Sequence, residues 1–275
     1  MGLTYIKSRN SENFKAIKQI IKFKRKRGTK KLYWIEGEKN LRTFLNFENK
    51  QLIFRIITTE NLFKSIQEDF QLYSDNFEYL IFSETLFEEI SLINTRFKVG
   101  FLVTFKPGKK SLEVKDQTDI LYFNDIQDPG NLGTIIRSCA AMNVGEIWLS
   151  STSVDPWSPK VVRAAAGYHG LVNLVVFESF ATVLEASSNL TLSTYLLSPE
   201  KNATSLFEQN LKRKNLFIFG SEGKGFPNFL RENLEPQNIL KIPHIGVIDS
   251  LNLSVAASLC IVEARRQRGL LLSSR

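Results

Sequence analysis

Two cysteines and two histidines are all that 275 residues offer to a thiol framework or to a metal. Cys139 and Cys260 stand far apart and outside any paired spacing, which excludes a disulfide scaffold or a zinc ribbon and fits a reducing compartment. His169 and His244 are too few and too scattered for a metal cluster or a serine triad, and read as structural or substrate-lining side chains. No apolar run approaches the ~18 residues of a membrane span, and no charged-then-apolar export signal opens the chain, so a cytoplasmic location is expected. In that compartment the Asn-x-Ser/Thr matches at Asn189, Asn202 and Asn252 are incidental. Internal repeats and low-complexity tracts are missing too.

Acids are scarce at one end. From Lys7 to Lys31 there are eleven Lys or Arg and a single acid, Glu12, which exceeds the whole formal excess of +8. Within this stretch KFKRKRGTKK places seven basic residues in ten, beside an apolar stripe of Phe14, Ile17 and Ile21 at helical spacing. That pattern suggests a short helix whose exposed side and following loop neutralise phosphates; a solvated terminal arm is the plainer reading. The stripe is too short to favour a membrane surface.

Length and the 43% of hydrophobic residues suggest two domains, each able to bury a core. Residues 1–106 alternate strand-like and helix-like stretches: LYWIEG, EKNLRTFLN, QLIFRIITT, a helix near 60–70, FEYLIF, another helix, and VGFLVTF. A linker over 107–118 is expected where Pro, Gly and mixed charge gather, and residues 119–275 form the second domain. There ILYFN, EIWLS, LVNLVVF, TLSTYLL, NLFIFG and NILKIP are short apolar runs with room for crossover helices between them. Continuous apolar strands alternating with helices argue for an α/β fold with a largely parallel sheet covered on both faces.

In such sheets ligands gather beyond the carboxyl ends of the strands, and three loops there carry unusual residues. The first, NDIQDPGNLG over 124–133, turns at Pro129 and Gly130 and places Asn131 at the mouth of a helix that carries Arg137 among apolar neighbours. A charge in such a segment costs stability unless it is paired or its head reaches water. The second, FGSEGKGFP over 219–227, has three glycines in six residues framing Glu222. A Walker loop would need glycine where Ile218 stands and Ser or Thr where Gly225 stands; a dinucleotide loop would need glycine at Asn228. Both patterns fail. The third, IPHIGVIDSLNLSVAASLCIVEARRQR over 242–268, sets Ser250 and Asn252 ahead of a helix expected to bury Val255, Leu259 and Val262. That helix ends in Arg265, Arg266 and Arg268, favourable at a C-terminus.

The segments NDIQDPGNLGTIIRSCAAMNVGEIWL, LFIFGSEGKGF and IPHIGVIDSLNLSVAASLCIVEA resemble, in order and spacing, the three motifs of the SpoU (TrmH-like) RNA ribose methyltransferases of the SPOUT superfamily. The resemblance spans about residues 119–268, and FKAIKQIIKFKRKRGTKKLYWIEGEKNL is similar to the entry of a ribosomal-protein-like RNA-binding domain that many members carry. It implies a C-terminal parallel sheet with a deep trefoil knot, a smaller N-terminal α/β RNA-binding domain, and a homodimer. Ordinary topology rules would not anticipate a knot. S-adenosylmethionine is the implied cofactor, with Gly220, Ile242 and Leu251 as its contacts. Asn131, Arg137, Glu222, Ser250 and Asn252 match the active-site positions.

What the resemblance implies in chemistry is alignment of a ribose 2′-hydroxyl with an already reactive methyl donor and removal of its proton. The family proposal makes the arginine a base helped by an RNA phosphate. Because free Arg stays protonated to about pH 12, an orienting role for Arg137 is favoured, and Glu222 is read as shaping the site. Ala165 and Leu253 depart from the Ser and Val common in the family without removing a polar group assigned to chemistry. The expected activity is 2′-O-methylation of structured RNA, with ribosomal RNA preferred over transfer RNA because of the separate N-terminal domain. The rivals are a base-methylating enzyme on the same fold and a non-catalytic RNA-binding or ribosome-assembly factor.

Overall fold

The computed structural model describes residues 2–45, 53–69, 77–93, 98–105, 119–200, 202–221, 226, 235–245 and 248–270. In chain order its first elements are β1 (Gly2–Ile6), α1 (Glu12–Lys22), α2 (Lys24–Lys30), β2 (Leu32–Glu36), α3 (Glu38–Leu45), β3 (Ile53–Thr59), α4 (Glu60–Asp69), β4 (Glu78–Phe82), α5 (Glu84–Ile90) and β5 (Val99–Thr104). There follow β6 (Ile120–Phe123), α6 (Pro129–Ala141), β7 (Glu146–Ser150), α7 (Pro159–Ala164), β8 (Asn173–Phe177), α8 (Phe180–Asn189), β9 (Ser193–Leu197), β10 (Thr204–Ser205), β11 (Asn215–Phe219), β12 (Ile239–Lys241) and α9 (Leu253–Gln267). The chain divides into two compact units, Met1–Pro107 with Asp155–Gly170, and Gly108–Val154 with Leu171–Arg275. The expected linker at 107–118 lies outside the described residues.

The first unit is a mixed sheet in the order β1-β4-β3-β5-β2, with β5 antiparallel to both its neighbours. Strand β1 gave no sequence signal because four of its five residues are exposed. One face is packed by Tyr79, Phe101, Leu41 and Phe44, the other by Trp34, Leu102, Phe14 and Ile17. Trp34 lies against Gly100, where any Cβ would sit 2.1 Å from its ring. In α1 the buried stripe is Phe14, Ile17 and Ile20, while Ile21 is only partly buried. One of the seven basic residues of KFKRKRGTKK is not a phosphate ligand at all. Arg27 is buried, donates to Asp155 Oδ2 through Nε at 2.8 Å, and donates through Nη1 to the carbonyls of Ile20 and Ile21 at 2.8 and 3.0 Å.

Residues 155–170 pack within this unit although they fall between β7 and β8 in sequence. Helix α7 packs on β2, and Val162 and Trp157 join the core beside Tyr33. His169 is buried there, its Nε2 donating to Pro156 O at 2.9 Å. Burial without a partner for Nδ1 holds its pKa down, at about 4. His169 is thus structural.

The second unit is a seven-stranded sheet in the order β10-β12-β9-β11-β6-β7-β8, every pair parallel. Strands β6 and β11 are buried along their whole length and β7 at all but its last residue, which is why these runs read as continuously apolar. The short β10 carried no such signal.

Helix α9 turns a different face inward from the one its largest residues suggest. Ser254, Ala257, Cys260, Ile261 and Ala264 are buried, whereas Val255 is 47% exposed and Leu259 and Val262 are only partly covered. Small side chains let α9 approach α6 closely, and Ser258 Oγ donates to Ser138 Oγ across the contact at 2.9 Å. Its C-terminal end is pinned by a buried ion pair. Arg268 donates to both oxygens of Asp119, at 3.0 and 2.6 Å, and to the carbonyls of Leu211 and Lys212. Asn215 adds two further donors to Asp119 Oδ1, from its backbone N at 3.1 Å and Nδ2 at 2.8 Å. Burial pushes the Asp119 carboxyl up, and the guanidinium pulls it back. Arg268 therefore serves as a clamp between the helix end and the start of β6, beyond any favourable effect at a helix terminus.

Candidate functional site

The parallel order brings the carboxyl ends of β9, β11 and β12 together, and a cleft of about 620 Å³ opens there within the second unit. Leu197 and Phe219, the last residues of β9 and β11, form apolar walls with Leu240 of β12 and with Leu253 and Ala256 of α9. Gly220, Ile242, Ser250 and Leu251 all line it, so four positions taken from two separate sequence motifs converge on one cavity. His244 lines it as well.

Beside the cleft the amino ends of α6 and α9 are tied to each other. Asn252 caps α9, its Oδ1 accepting from Ser254 N at 2.9 Å, and its Nδ2 donates to Asn131 Oδ1 at 3.0 Å. Asn131 does not cap α6. That position belongs to Asp128, whose Oδ1 accepts from Asn131 N at 2.6 Å, and Asn131 is the third helical residue. Glycine at 130 leaves room for the cap, since a Cβ would meet the capping Asp128 Oδ1 at 2.9 Å and displace it. Ser250 likewise caps nothing; it is exposed on the cleft.

Arg137 lies six residues beyond Asn131 on α6, which at about 100° per residue turns it roughly a third of a revolution around the helix. Its side chain is exposed and makes no hydrogen bond or ion pair with any described residue. The head therefore reaches water while Leu132, Ile135, Ile136 and Cys139 bury the opposite face. Glu222 lies outside the described residues.

The loop after β6 is held by neighbouring strand ends. Asp125, at φ 62, donates its backbone N to Ser150 Oγ at 2.9 Å, accepts from Gln127 Nε2 at 2.6 Å, and accepts from Ser221 Oγ at 3.4 Å. Aspartate tolerates that left-handed backbone better than most residues. Tyr122, just before it, donates to Asn124 Oδ1 at 3.3 Å, and burial raises its phenol to about 12.

Sequence reasoning missed Ser198, Glu200 and Asp249, which also line the cleft. The signal was available: SPE directly follows the strand end STYLL, the same placement that singled out the other loops. Among the described residues no group of three His, Cys, Asp or Glu could hold a metal ion, and no helix is long and apolar enough to cross a membrane.

Comparison with known proteins gives this geometry a lineage. A relative from Synechocystis, an uncharacterized tRNA/rRNA methyltransferase, is 38% identical over 148 residues, covering 54% of this chain and 53% of the relative. The 23S rRNA (guanosine-2′-O-)-methyltransferase RlmB of Pseudomonas syringae is 30% identical over 149 residues, 54% of this chain and 58% of that protein. The chain thus spans about half the length of the curated relatives it matches. An AdoMet-bound rRNA methyltransferase from Sinorhizobium meliloti superposes with a TM-score of 0.82 over 99% of both chains at 20% identity. The SpoU methyltransferase AviRb from Streptomyces viridochromogenes gives 0.81 over 97% of this chain and 100% of its own, at 22% identity. These two show a shared fold. The model of the SpoU rRNA Methylase family matches residues 119–262, just over half of the sequence, and to that family the chain belongs.

Proposed function

We propose that the chain is an S-adenosylmethionine-dependent RNA 2′-O-ribose methyltransferase with ribosomal RNA as its preferred substrate. The observation that carries this reading is the Asn131–Asn252 bond, which seats the two active-site motifs beside the cleft lined by Gly220, Ile242 and Leu251. The cavity suits the cofactor: about 620 Å³ lies inside the range of small-molecule sites, roughly 300–1,000 Å³, with apolar walls and a few polar groups. When bound, the cofactor supplies a methyl group on a sulfonium.

The chain's own residues then have positioning to do. Gly220, Ile242 and Leu251 hold the cofactor, and Asn131, Asn252 and Ser250 fix the entry to the site. Arg137, exposed and fork-shaped, orients an RNA phosphate and the ribose hydroxyl; a guanidinium that stays charged to about pH 12 favours that task over accepting the proton. Glu222 is assigned to shaping the site rather than to accepting the proton. Alignment of this kind can contribute up to about 7–11 kcal/mol.

Residues 1–106 grip structured RNA. The exposed bases of α1 and α2 support this, as does the rRNA named for the RlmB relatives. Residues 119–275 form the catalytic part, two copies of which pair to form a homodimer; the outward Val255 and the exposed Ile248 and Ile245 support an apolar contact there. The insertion of β11 between β9 and β6, followed by the jump of β12 past β9, supports a trefoil-knotted path. A cytoplasmic location follows from an rRNA substrate.

Calorimetry with S-adenosylmethionine, tritium transfer to total RNA and nucleoside digestion test the reading together. Label in a 2′-O-methyl nucleoside supports it; cofactor uptake without transfer would make the chain a binding factor, and label in a base would make it a base methylase. Mapping 2′-O-methyl sites in ribosomal RNA with and without the protein identifies the nucleotide. An Arg137→Ala variant should keep cofactor affinity and lose about a hundredfold or more in turnover.

A further inference from the structure

The basic stretch of the first unit carries an aromatic ring that its cores do not take up. Phe23 is 48% exposed and stands at the corner between α1 and α2, next in sequence to Lys22, Lys24, Arg25 and Lys26. Its backbone is held from both sides: Phe23 N donates to Gln19 O at 2.9 Å, and Phe23 O accepts from Lys26 N at 3.1 Å and Arg27 N at 3.2 Å. Buried Arg27 fastens the corner further through its bonds to Ile20 O, Ile21 O and Asp155. The ring is thus presented on a fixed backbone. Local folding does not account for it, since Ser, Thr, Asp or Asn is favoured just ahead of a helix and Phe23 supplies no capping bond.

Around the ring the charge is of one sign. Lys22, Lys24, Arg25, Lys26, Lys30 and Lys31 are exposed, and none is paired with an acid among the described residues. Lys22 Nζ lies 5.4 Å from the ring centroid, within reach of a cation–π contact. Phosphates alone would need only the cations. An aromatic face among them suits a nucleobase, which stacks on such a ring whatever its identity. In a duplex the bases are already stacked on one another, so the ring favours an unpaired nucleotide. A lipid surface would meet one ring and no apolar stripe, because Phe14, Ile17 and Ile20 of α1 are buried.

We propose that Phe23 is a stacking platform for an unpaired base of the bound RNA, with the surrounding cations holding the flanking phosphates. The proposal rests on the reading that residues 1–106 grip RNA and names the feature of that RNA which the unit takes hold of.

Fluorescence anisotropy of the full chain tests it, with single-stranded oligouridylate and a blunt RNA duplex of equal length as labelled probes. Phe23→Ala should weaken oligouridylate at least about fivefold, the loss expected of one stacked base, and leave the duplex within about twofold. Phe23→Leu, which keeps apolar bulk without an aromatic face, should lose nearly as much, and Phe23→Trp should restore wild-type affinity. Lys24→Gln combined with Arg25→Gln should weaken both probes and flatten their salt dependence. Retained duplex binding reports that a variant is folded. An unchanged oligouridylate affinity in Phe23→Ala, or equal weakening of both probes, overturns the proposal alone. Loss of cosedimentation with phosphatidylserine vesicles in Phe23→Ala, with oligouridylate binding intact, overturns it in favour of a membrane. A wild-type chain that binds neither RNA overturns the RNA reading of residues 1–106 and this proposal with it.

Discussion

Replacing Arg268 with alanine removes both donors from Asp119 together with the bonds to Leu211 O and Lys212 O. Breaking a buried pair from one side costs about 3–5 kcal/mol, because the remaining charge stays buried. Asn215 keeps two hydrogen bonds on Asp119, which places the expected loss near the lower end, about 3 kcal/mol. The pH dependence has a definite sign. Burial already raises the Asp119 carboxyl, and without the Arg268 guanidinium only the hydrogen bonds of Asn215 and the field of Arg265 oppose it, so the folded state binds this proton more readily than the unfolded state. Stability attributable to this group therefore falls as pH rises between the unfolded and folded values, and acidification returns up to about 1.4 kcal/mol per unit. With two units present, a single melting temperature is poorly defined, so amide exchange of β6 and β11 is the better assay. At pH 7 those amides should exchange more than about a hundredfold faster in Arg268→Ala than in wild type, with the gap narrowing toward acid. Adding Asp119→Asn, which keeps an acceptor for Asn215 without the charge, should recover most of the loss. A deficit below about 1 kcal/mol, or one that does not narrow on acidification, refutes the argument.

Three other outcomes follow from the packing. The neutral His169 contributes stability in full above its unfolded value of 6.5, and this is lost as pH falls toward about 4, totalling about 3 kcal/mol in the first unit; exchange of β2 amides should show it, and His169→Phe should flatten it. Gly100→Ala drives a methyl into the Trp34 ring and should cost about 1–3 kcal/mol, measured by urea titration of tryptophan fluorescence. Asn252→Ala removes the α9 cap and the tie to Asn131, so about 0.5–2 kcal/mol of stability should go, read by exchange, and the proposed function adds a loss of most tritium incorporation into RNA.

The strands and the loops that leave them were legible because both depend on local pattern: apolar runs mark buried parallel strands, and Gly, Pro and amide residues mark the turns that follow. Gly220, Ile242, Ser250 and Leu251 line one cavity. What the pattern could not convey was the far partner of a side chain. Arg27 reads as one more base until Asp155, 128 positions away, accepts from it. Arg268 reads as a helix-end charge until Asp119, 149 positions away, takes both its donors. The inward face of α9 was misjudged for a related reason: size suggested Val255, whereas close approach of α6 rewards serine and alanine. Glu200 was overlooked because it sits in no glycine turn, although its place past a strand end was equally plain.

The excursion of residues 155–170 has a practical consequence for dissecting the molecule. A fragment that begins at residue 119, however natural it looks on paper, would carry Trp157, Val162 and His169 stripped of Tyr33 and the other aromatic company that keeps them dry. The reciprocal fragment would lack the carboxylate that neutralises Arg27. Exchanging the first unit for another therefore requires transplanting the sixteen residues 155–170 along with it, as one cassette.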